Sequence, residues 1–445
     1  LLALFVVLPG LGNRALWNPD EPRYAEVARE MRLSGEWFVP HLNGEIYAQK
    51  PPLLMWLMNA SSLVAPPFGS AELNEWSARL PSALSAAAAV LLTFLITRRL
   101  ASRRAAWLAA VAFGTCMKIL WQGRTGQIDM LLTALVALAV WFWVRGYTER
   151  RPGFYRLFFL TTGFATLAKG PVGLLPPLLS VVAFLLLSGE REEIRRMRIG
   201  TGLLLWAGVV LAWLVPAGFE AGRPYLETIV FKQNVTRYAD PWHHFRPPWY
   251  YLTVIPVDFF PWSLLLPGAL VVGWRRLLRG APDPDDPADR AGSGRRAFLF
   301  GLSWMVVTLV FFSVSPAKRT VYILTMYPAM ALLVGMALDR WAEAWNRPGE
   351  ADRGWLLWPL GLLAALAVAV PAAAPFVAAY RAEDLEPMGP GLVPRAVAVF
   401  SLLALGAVAA LWLAVRGRTR PAAYALGGGC AAMALGVFLV VLPRF

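Results

Sequence analysis

Three carboxylates and a handful of cations stand where chemistry can be done in a chain that is otherwise sparing with charge. Asp20 and Glu21 lie in the run Asn18-Pro19-Asp20-Glu21-Pro22-Arg23-Tyr24, and Asp129 lies near the outer end of a long apolar stretch. A positioned carboxylate can accept a proton from an attacking hydroxyl or amine. The same two acids at a helix start also simply favour the positive end of its dipole, and from local pattern alone both readings of Asp20 and Glu21 stand. Asp129 is harder to treat as decoration, because a carboxylate at such depth costs free energy unless it is paired or used; its nearest charged neighbour in sequence is Arg124. Lys50, Lys318 and Arg319 sit at the ends of apolar segments, where a cation either draws an anionic headgroup inward or snorkels to the interface. The adjacent pair His243-His244 is a poor metal centre: neighbouring residues rarely face one ion, no cysteine is near, and the third histidine, His41, lies in a different loop.

The elements that must carry these residues follow from spacing. Asn18 suits a helix cap, Pro19 the first helical position, and Glu21 completes a capping-box pattern. Tyr24, Val27, Ala28 and Met31 then fall at i, i+3, i+4 and i+7, one apolar stripe on a helix lying along the membrane surface. Tyr47, Gln49 and Lys50 precede Pro51-Pro52 and a second apolar stretch, so this loop is expected to fold as helix, turn, helix, with Lys50 at headgroup level.

Composition places all of this in a bilayer. Of 445 residues, 58% are hydrophobic and 16% charged, too few charges for a water-soluble surface. Spans near 1–12, 78–97, 105–121, 128–144, 155–168, 171–189, 201–219, 249–273, 297–315, 320–338, 355–379, 394–415 and 421–442 give about thirteen transmembrane helices. Alternate loops hold the arginine clusters 98–104, 145–151, 191–198, 275–296, 340–353 and 416–420, which the positive-inside rule makes cytoplasmic. The net charge of +14 is therefore spread over alternate loops, and no nucleic-acid partner is expected. Cys116 and Cys430 read as packed apolar residues. The run 281–296 reads as a flexible cytoplasmic loop. Residues 13–77 and 220–248 form the two large outer loops, and function is expected there. The opening without Met inside an apolar run suggests a first span truncated at its start, and the end soon after the last span suggests that a soluble C-terminal domain is absent.

In order along the chain, 18–30, 47–51, Lys169-Gly170, 234–251 and 313–324 resemble the aminoarabinose transferase and protein mannosyltransferase superfamily. The resemblance covers roughly residues 10–345 and is closest to the aminoarabinose branch. It implies an all-α integral membrane protein of the C-type glycosyltransferase (GT-C) fold, one domain over 1–445, with amphipathic juxtamembrane helices in the first and fourth periplasmic loops. Residue by residue, it matches Asp20 to the acid thought to act as base and Asp129 to the second buried aspartate. Lys50 and Arg237, in the run Asn234-Val235-Thr236-Arg237-Tyr238, match cations on the carrier phosphate; Tyr47 and Tyr322 match tyrosines lining that pocket. Tyr24, Lys318 and Arg319 complete the expected binding set. Where some relatives place Glu and His as metal ligands this chain has Gln49 and Lys232, which argues against a required divalent metal.

The function so implied is sugar transfer from a polyprenyl monophosphate of the undecaprenyl type to an acceptor on the periplasmic face of a bacterial inner membrane. The acceptor would be lipid A or another envelope glycolipid, glycan or protein. One base and a single displacement imply inversion at the anomeric carbon. The alternative class is a lipid or solute transporter without chemistry. It is disfavoured because the predicted span centres carry almost no charge, while polar residues gather in the outer loops.

Overall fold

The computed structural model has Asn74 and Ser102 capping the helices that follow them, and Gly35, Gly123 and Gly170 standing at helix ends. It describes residues 2–17, 19–64, 72–236, 238, 245–279, 293–345, 353–380 and 391–441. Helix α1 (Leu2–Val7) leads to the first large loop, which holds α2 (Asp20–Ser34), the strands β1 (His41–Leu42) and β2 (Glu45–Ile46), and α3 (Leu53–Val64). Instead of a plain turn, the loop carries a hairpin pairing His41 with Ile46 and Leu42 with Glu45. Asn43 and Gly44 make its tip with φ of 55° and 78°, the left-handed pair that a two-residue hairpin turn requires. The Glu30 carboxylate fixes that tip by accepting from the Asn43 and Gly44 amides at 2.5 and 3.1 Å.

Next, α4 (Glu75–Leu100) starts at a reciprocal cap: Asn74 Oδ1 accepts from the Ser77 amide and Ser77 Oγ from the Asn74 amide, both at 2.9 Å. Then come α5 (Arg103–Gly114), α6 (Met117–Gln122), α7 (Ile128–Glu149), α8 (Gly153–Lys169), α9 (Leu175–Leu187), α10 (Arg191–Arg196) and α11 (Ile199–Leu226). A wide π-helical segment, Glu227–Thr236, continues α11 past a kink at Gly222. The second half contains α12 (Tyr250–Asp258), α13 (Leu266–Arg279), α14 (Ser293–Val314), a 3-10 segment Thr320–Met326, α15 (Tyr327–Ala344), α16 (Gly354–Tyr380), α17 (Leu392–Val415) and α18 (Thr419–Gly436).

Among the described residues, eight helices are long and apolar enough to cross a membrane, so the chain is a multi-pass membrane protein; the expected count of about thirteen is not reached by that measure. The other expected spans are short or broken for identifiable reasons. The span expected at 105–121 divides into α5 and α6 at Thr115-Cys116, where the Met117 amide leaves the helix ladder to donate to Phe260 O at 2.9 Å. The span expected at 249–273 divides into α12 and α13, because Pro256 and Pro261 cannot donate to a continuous ladder. In place of 1–12 the described helix is Leu2–Val7.

The expected arginine clusters gather at one end of the bundle. Arg99 pairs with Glu149 at 3.2 Å, Arg150 with Glu193 at 2.6 Å, Arg296 with Glu190 at 3.2 Å, Arg104 with Glu343 at 3.5 Å and Arg420 with Asp339 at 2.8 Å. These contacts join loops from across the chain, which independent side placements would not produce. Between the two ends, Trp143 of α7 stacks on Phe300 of α14 at 5.1 Å and meets Phe184 of α9 edge-on at 5.8 Å, all three buried.

Candidate active site

At the end of the bundle away from the arginine clusters, α2 is held by its second residue. Glu21 is fully buried and takes five donors: Arg79 Nε at 2.8 Å and Nη2 at 2.9 Å, Arg14 Nη1 at 3.2 Å, and the Trp17 and Gly126 amides at 2.6 Å each. Burial alone would raise its pKa. The hydrogen bonds and charge of Arg79, with the two amides, hold the Glu21 carboxyl below its ordinary value. Arg79 spends its remaining protons on the carbonyls of Leu11, Arg14 and Ala15. Glu21 is thus the keystone that ties the first loop to α4 and to the turn before α7, which the dipole and capping-box readings did not anticipate. The helix begins at Asp20 with Pro19 before it and no side-chain cap, while Asn18 lies outside the described residues.

With α2 so fixed, Asp20 is presented beside it with little freedom. Its Oδ2 accepts from Arg319 Nη2 at 2.7 Å and from Gln127 Nε2 at 3.2 Å; on the Oδ1 side stands Arg23, at 4.0 Å. One carboxylate oxygen is therefore anchored and the other lightly engaged. Arg319 remains a cation: burial would lower its pKa, but the hydrogen bond to Asp20 and the charges of Asp20 and then Asp129 hold it above its ordinary value.

Asp129, in the first turn of α7, is buried and pairs not with Arg124 but with Lys169, the last residue of α8. Arg124 turns inward to the Val6 and Leu120 carbonyls and the face of Phe438. Lys169 Nζ also lies 4.5 Å from the centre of the Tyr322 ring, so α7, α8 and the 3-10 segment meet at one ammonium. Tyr24 and Tyr47 share a buried cluster with Met58, Ile128 and Leu131. Burial, with Tyr47, Asp20 and Asp129 close by, pushes the Tyr24 phenol well above its ordinary pKa and keeps it neutral.

The second large loop arrives over Lys169. Gly170 ends α8 at φ 82° and ψ −161°, a conformation reserved almost wholly for glycine, and a Cβ there would collide with Asn234 Oδ1. Beyond Asn234, Tyr238 donates from its hydroxyl to Phe311 O at 2.6 Å and accepts at its carbonyl from Ser315 Oγ at 3.0 Å. Arg237, expected on the carrier phosphate, lies outside the described residues, as do Trp242, His243 and His244. Of the residues on either side of Arg237, Asn234 packs against Gly170 and Tyr238 bonds to α14.

Gln127 and Arg319 engage Asp20, Lys169 joins Asp129 to Tyr322, and Tyr24 and Tyr47 pack in the apolar cluster beside them. Lys50 is half-buried three residues past Tyr47, before α3. Lys318 is set apart: its ammonium donates to Arg246 O at 3.1 Å and to Ser315 O, bracing one loop against another. Sequence reasoning quoted Lys169 without giving it a role and passed over Gln127. A cation ending one span opposite a carboxylate beginning another was the signal available for Lys169. Gln49 and Lys232, weighed above as metal-ligand positions, are both exposed, and an amide and an ammonium do not form a divalent site.

Similarity to known proteins follows the same lines. A family model described as dolichyl-phosphate-mannose-protein mannosyltransferase matches residues 49–216. An undecaprenyl phosphate-alpha-4-amino-4-deoxy-L-arabinose arabinosyl transferase of Pectobacterium carotovorum is 33% identical over 377 residues, covering 83% of this chain and 63% of that protein. Its counterpart in Aeromonas hydrophila is 31% identical over 392 residues, covering 86% and 67%. The chain thus spans about two thirds of the length of these relatives. The crystal structure of ArnT from Cupriavidus metallidurans bound to undecaprenyl phosphate superposes with a TM-score of 0.78 at 26% identity, over 98% of this chain and 76% of that one.

Proposed function

This chain belongs to the aminoarabinose transferase family of C-type-fold (GT-C) membrane glycosyltransferases, and from that premise we propose that it transfers a sugar from an undecaprenyl-type monophosphate to an acceptor on the outer face of the bacterial inner membrane. The observation that carries the proposal is the half-engaged carboxylate of Asp20, set by Arg319 and Gln127 beside the Asp129–Lys169–Tyr322 group.

Displacement at the anomeric carbon breaks its bond to the carrier phosphate oxygen, and the electron pair leaves with the phosphate. That leaving group is already competent and needs cations more than a proton. Lys50 and Arg237 fill this role, the lysine as a point charge and the arginine as a planar fork; preorganised donors of this kind are worth ~3–4 kcal/mol each. The acceptor hydroxyl or amine gives up its proton to Asp20, for which Oδ1 is the less occupied oxygen. Asp129 acts at one remove as a positioning residue, fixing Lys169 against Tyr322. Tyr24 and Tyr47 line the pocket as neutral groups. Lys318 is committed to backbone carbonyls and is assigned to the framework.

The relatives' names make undecaprenyl phosphate-linked 4-amino-4-deoxy-L-arabinose the first donor to test; for the acceptor we take lipid A first, ahead of other envelope glycolipids, glycans and proteins. Purified protein in lipid is incubated with that radiolabelled donor and lipid A, then with a mixed envelope extract. Label appearing on an acceptor, with inversion at the anomeric carbon, supports the proposal and identifies the acceptor class. Label that stays on the carrier while the carrier changes leaflet would instead make the protein a transporter.

A further inference from the structure

Two ionisable side chains that fall inside the predicted spans 105–121 and 249–273 face each other in the structure. Lys118 of α6 and Asp258, the last residue of α12, pair at 3.2 Å with side-chain exposures of 13% and 14%. Lys118 Nζ also donates to Thr320 Oγ1 at 2.8 Å, and the Tyr327 hydroxyl donates to Asp258 at 3.4 Å. The Met117 amide adds a bond to Phe260 O at 2.9 Å. One polar knot therefore ties α6, the end of α12, the first residue of the 3-10 segment Thr320–Met326 and the first residue of α15.

Such a knot is an expensive way to pack helices. Desolvating two charges cancels much of their attraction, and apolar residues of similar volume often serve stability as well or better. Ionisable groups enclosed in an apolar helical bundle are rare and mark function by default. What this pair grips is specific. Thr320 directly follows Arg319, whose Nη2 donates to Asp20, and stands two residues before Tyr322, which lies on Lys169.

We infer that Lys118 and Asp258 are positioning residues for the reaction: they fix the start of the 3-10 segment so that Arg319 presents Asp20 and Tyr322 meets Lys169. The inference rests on the transferase reading above. The carrier phosphate is assigned to Lys50 and Arg237 and not to this pair, so the expected loss is in turnover rather than in donor capture. A displacement of about 1 Å in a group that sets reacting geometry is worth up to ~10²-fold in rate.

The test compares wild type, Lys118→Met, Lys118→Arg and Thr320→Val in lipid nanodiscs, by three measurements. Hydrogen exchange over residues 316–326 reads whether the knot holds the segment and needs no activity. Binding of undecaprenyl phosphate reads donor capture, and the transfer assay gives kcat and KM. The expected result for Lys118→Met is faster exchange in that segment, a roughly 10- to 100-fold lower kcat and undecaprenyl phosphate binding within about threefold of wild type. Thr320→Val, which removes the link but keeps the ion pair, reproduces part of the loss, and Lys118→Arg recovers most of it. Unchanged exchange in Lys118→Met overturns the inference. So does faster exchange with a wild-type kcat, or a parallel loss of melting temperature, binding and kcat that Lys118→Arg does not restore. If wild type itself transfers nothing, the transferase reading falls, while the exchange comparison still decides whether the knot holds the segment.

Discussion

Arg319 reaches Asp20 across 299 residues of sequence, placing Nη2 2.7 Å from Oδ2. This contact closes the site. It joins the first outer loop to the segment between α14 and α15, and it leaves the second carboxylate oxygen of Asp20 for chemistry.

Removing the contact should cost rate more than stability. Arg319→Ala is expected to lower kcat about 10²- to 10³-fold, the range seen when one preorganised polar partner is removed from an active site. Arg319→Lys should recover only part of it, because an ammonium cannot reproduce the planar fork. Steady-state transfer kinetics check this; an Arg319→Ala protein with near wild-type kcat would detach Arg319 from the mechanism.

The Asp129–Lys169 pair makes a prediction about coupling. Each side chain is largely buried, so Asp129→Asn or Lys169→Met alone strands a charge, at a cost of about 3–5 kcal/mol. The double variant should be far less destabilised than the sum of the two single changes, while transfer remains poor. Thermal melts of the four proteins in one detergent give the coupling directly, and simple additivity would show that the two side chains do not depend on each other.

Glu21 predicts the direction of an acid dependence. Its carboxyl lies below the ordinary value of 4.5, so its contribution to stability is present in full above that value and is lost as pH falls through the lowered one. Melting temperature should therefore decline below about pH 4.5 partly through this group, and Glu21→Gln should flatten that part of the curve. At neutral pH the same variant should already be less stable, since it cannot balance the buried guanidinium of Arg79. A wild-type acid profile in Glu21→Gln would remove Glu21 from the account of stability.

Gly170 is held by backbone conformation and by space at once. Gly170→Ala should cost about 1–3 kcal/mol of backbone strain and displace Asn234 as well. Shortening Asn234 to Ala in the same chain should return the part due to collision but not the part due to φ. Melting temperatures of the two variants separate the contributions, and full rescue by Asn234→Ala would show that the backbone is unstrained.

Much of this architecture was legible along the chain. The apolar runs of α4, α7, α16 and α17 were read within a few residues because a helix crossing lipid must be apolar over nearly its whole length. The arginine clusters foretold that their loops share one end, because the positive-inside bias keeps arginine-rich loops on one side of the bilayer. Asp20 and Asp129 stood out as acids where acids are costly. Their partners did not: Arg319, Gln127 and Lys169 lie 299, 107 and 40 residues away from the groups they serve, and nothing local records such pairings. The division of α5 from α6 and of α12 from α13 was hidden for the same reason, since apolar composition persists through a break whose amides are satisfied elsewhere. The hairpin tip Asn43-Gly44 did have a local signature, which a helical reading of the loop passed over.

The most direct test of the central claim is transfer by Asp20→Asn beside wild type, with undecaprenyl phosphate binding measured on the same preparations. The account predicts a kcat lower by about 10²- to 10⁴-fold, the usual worth of a general base, with binding within about threefold of wild type. Transfer by Asp20→Asn within tenfold of wild type would contradict it, and the proton would then have to leave the acceptor by another route.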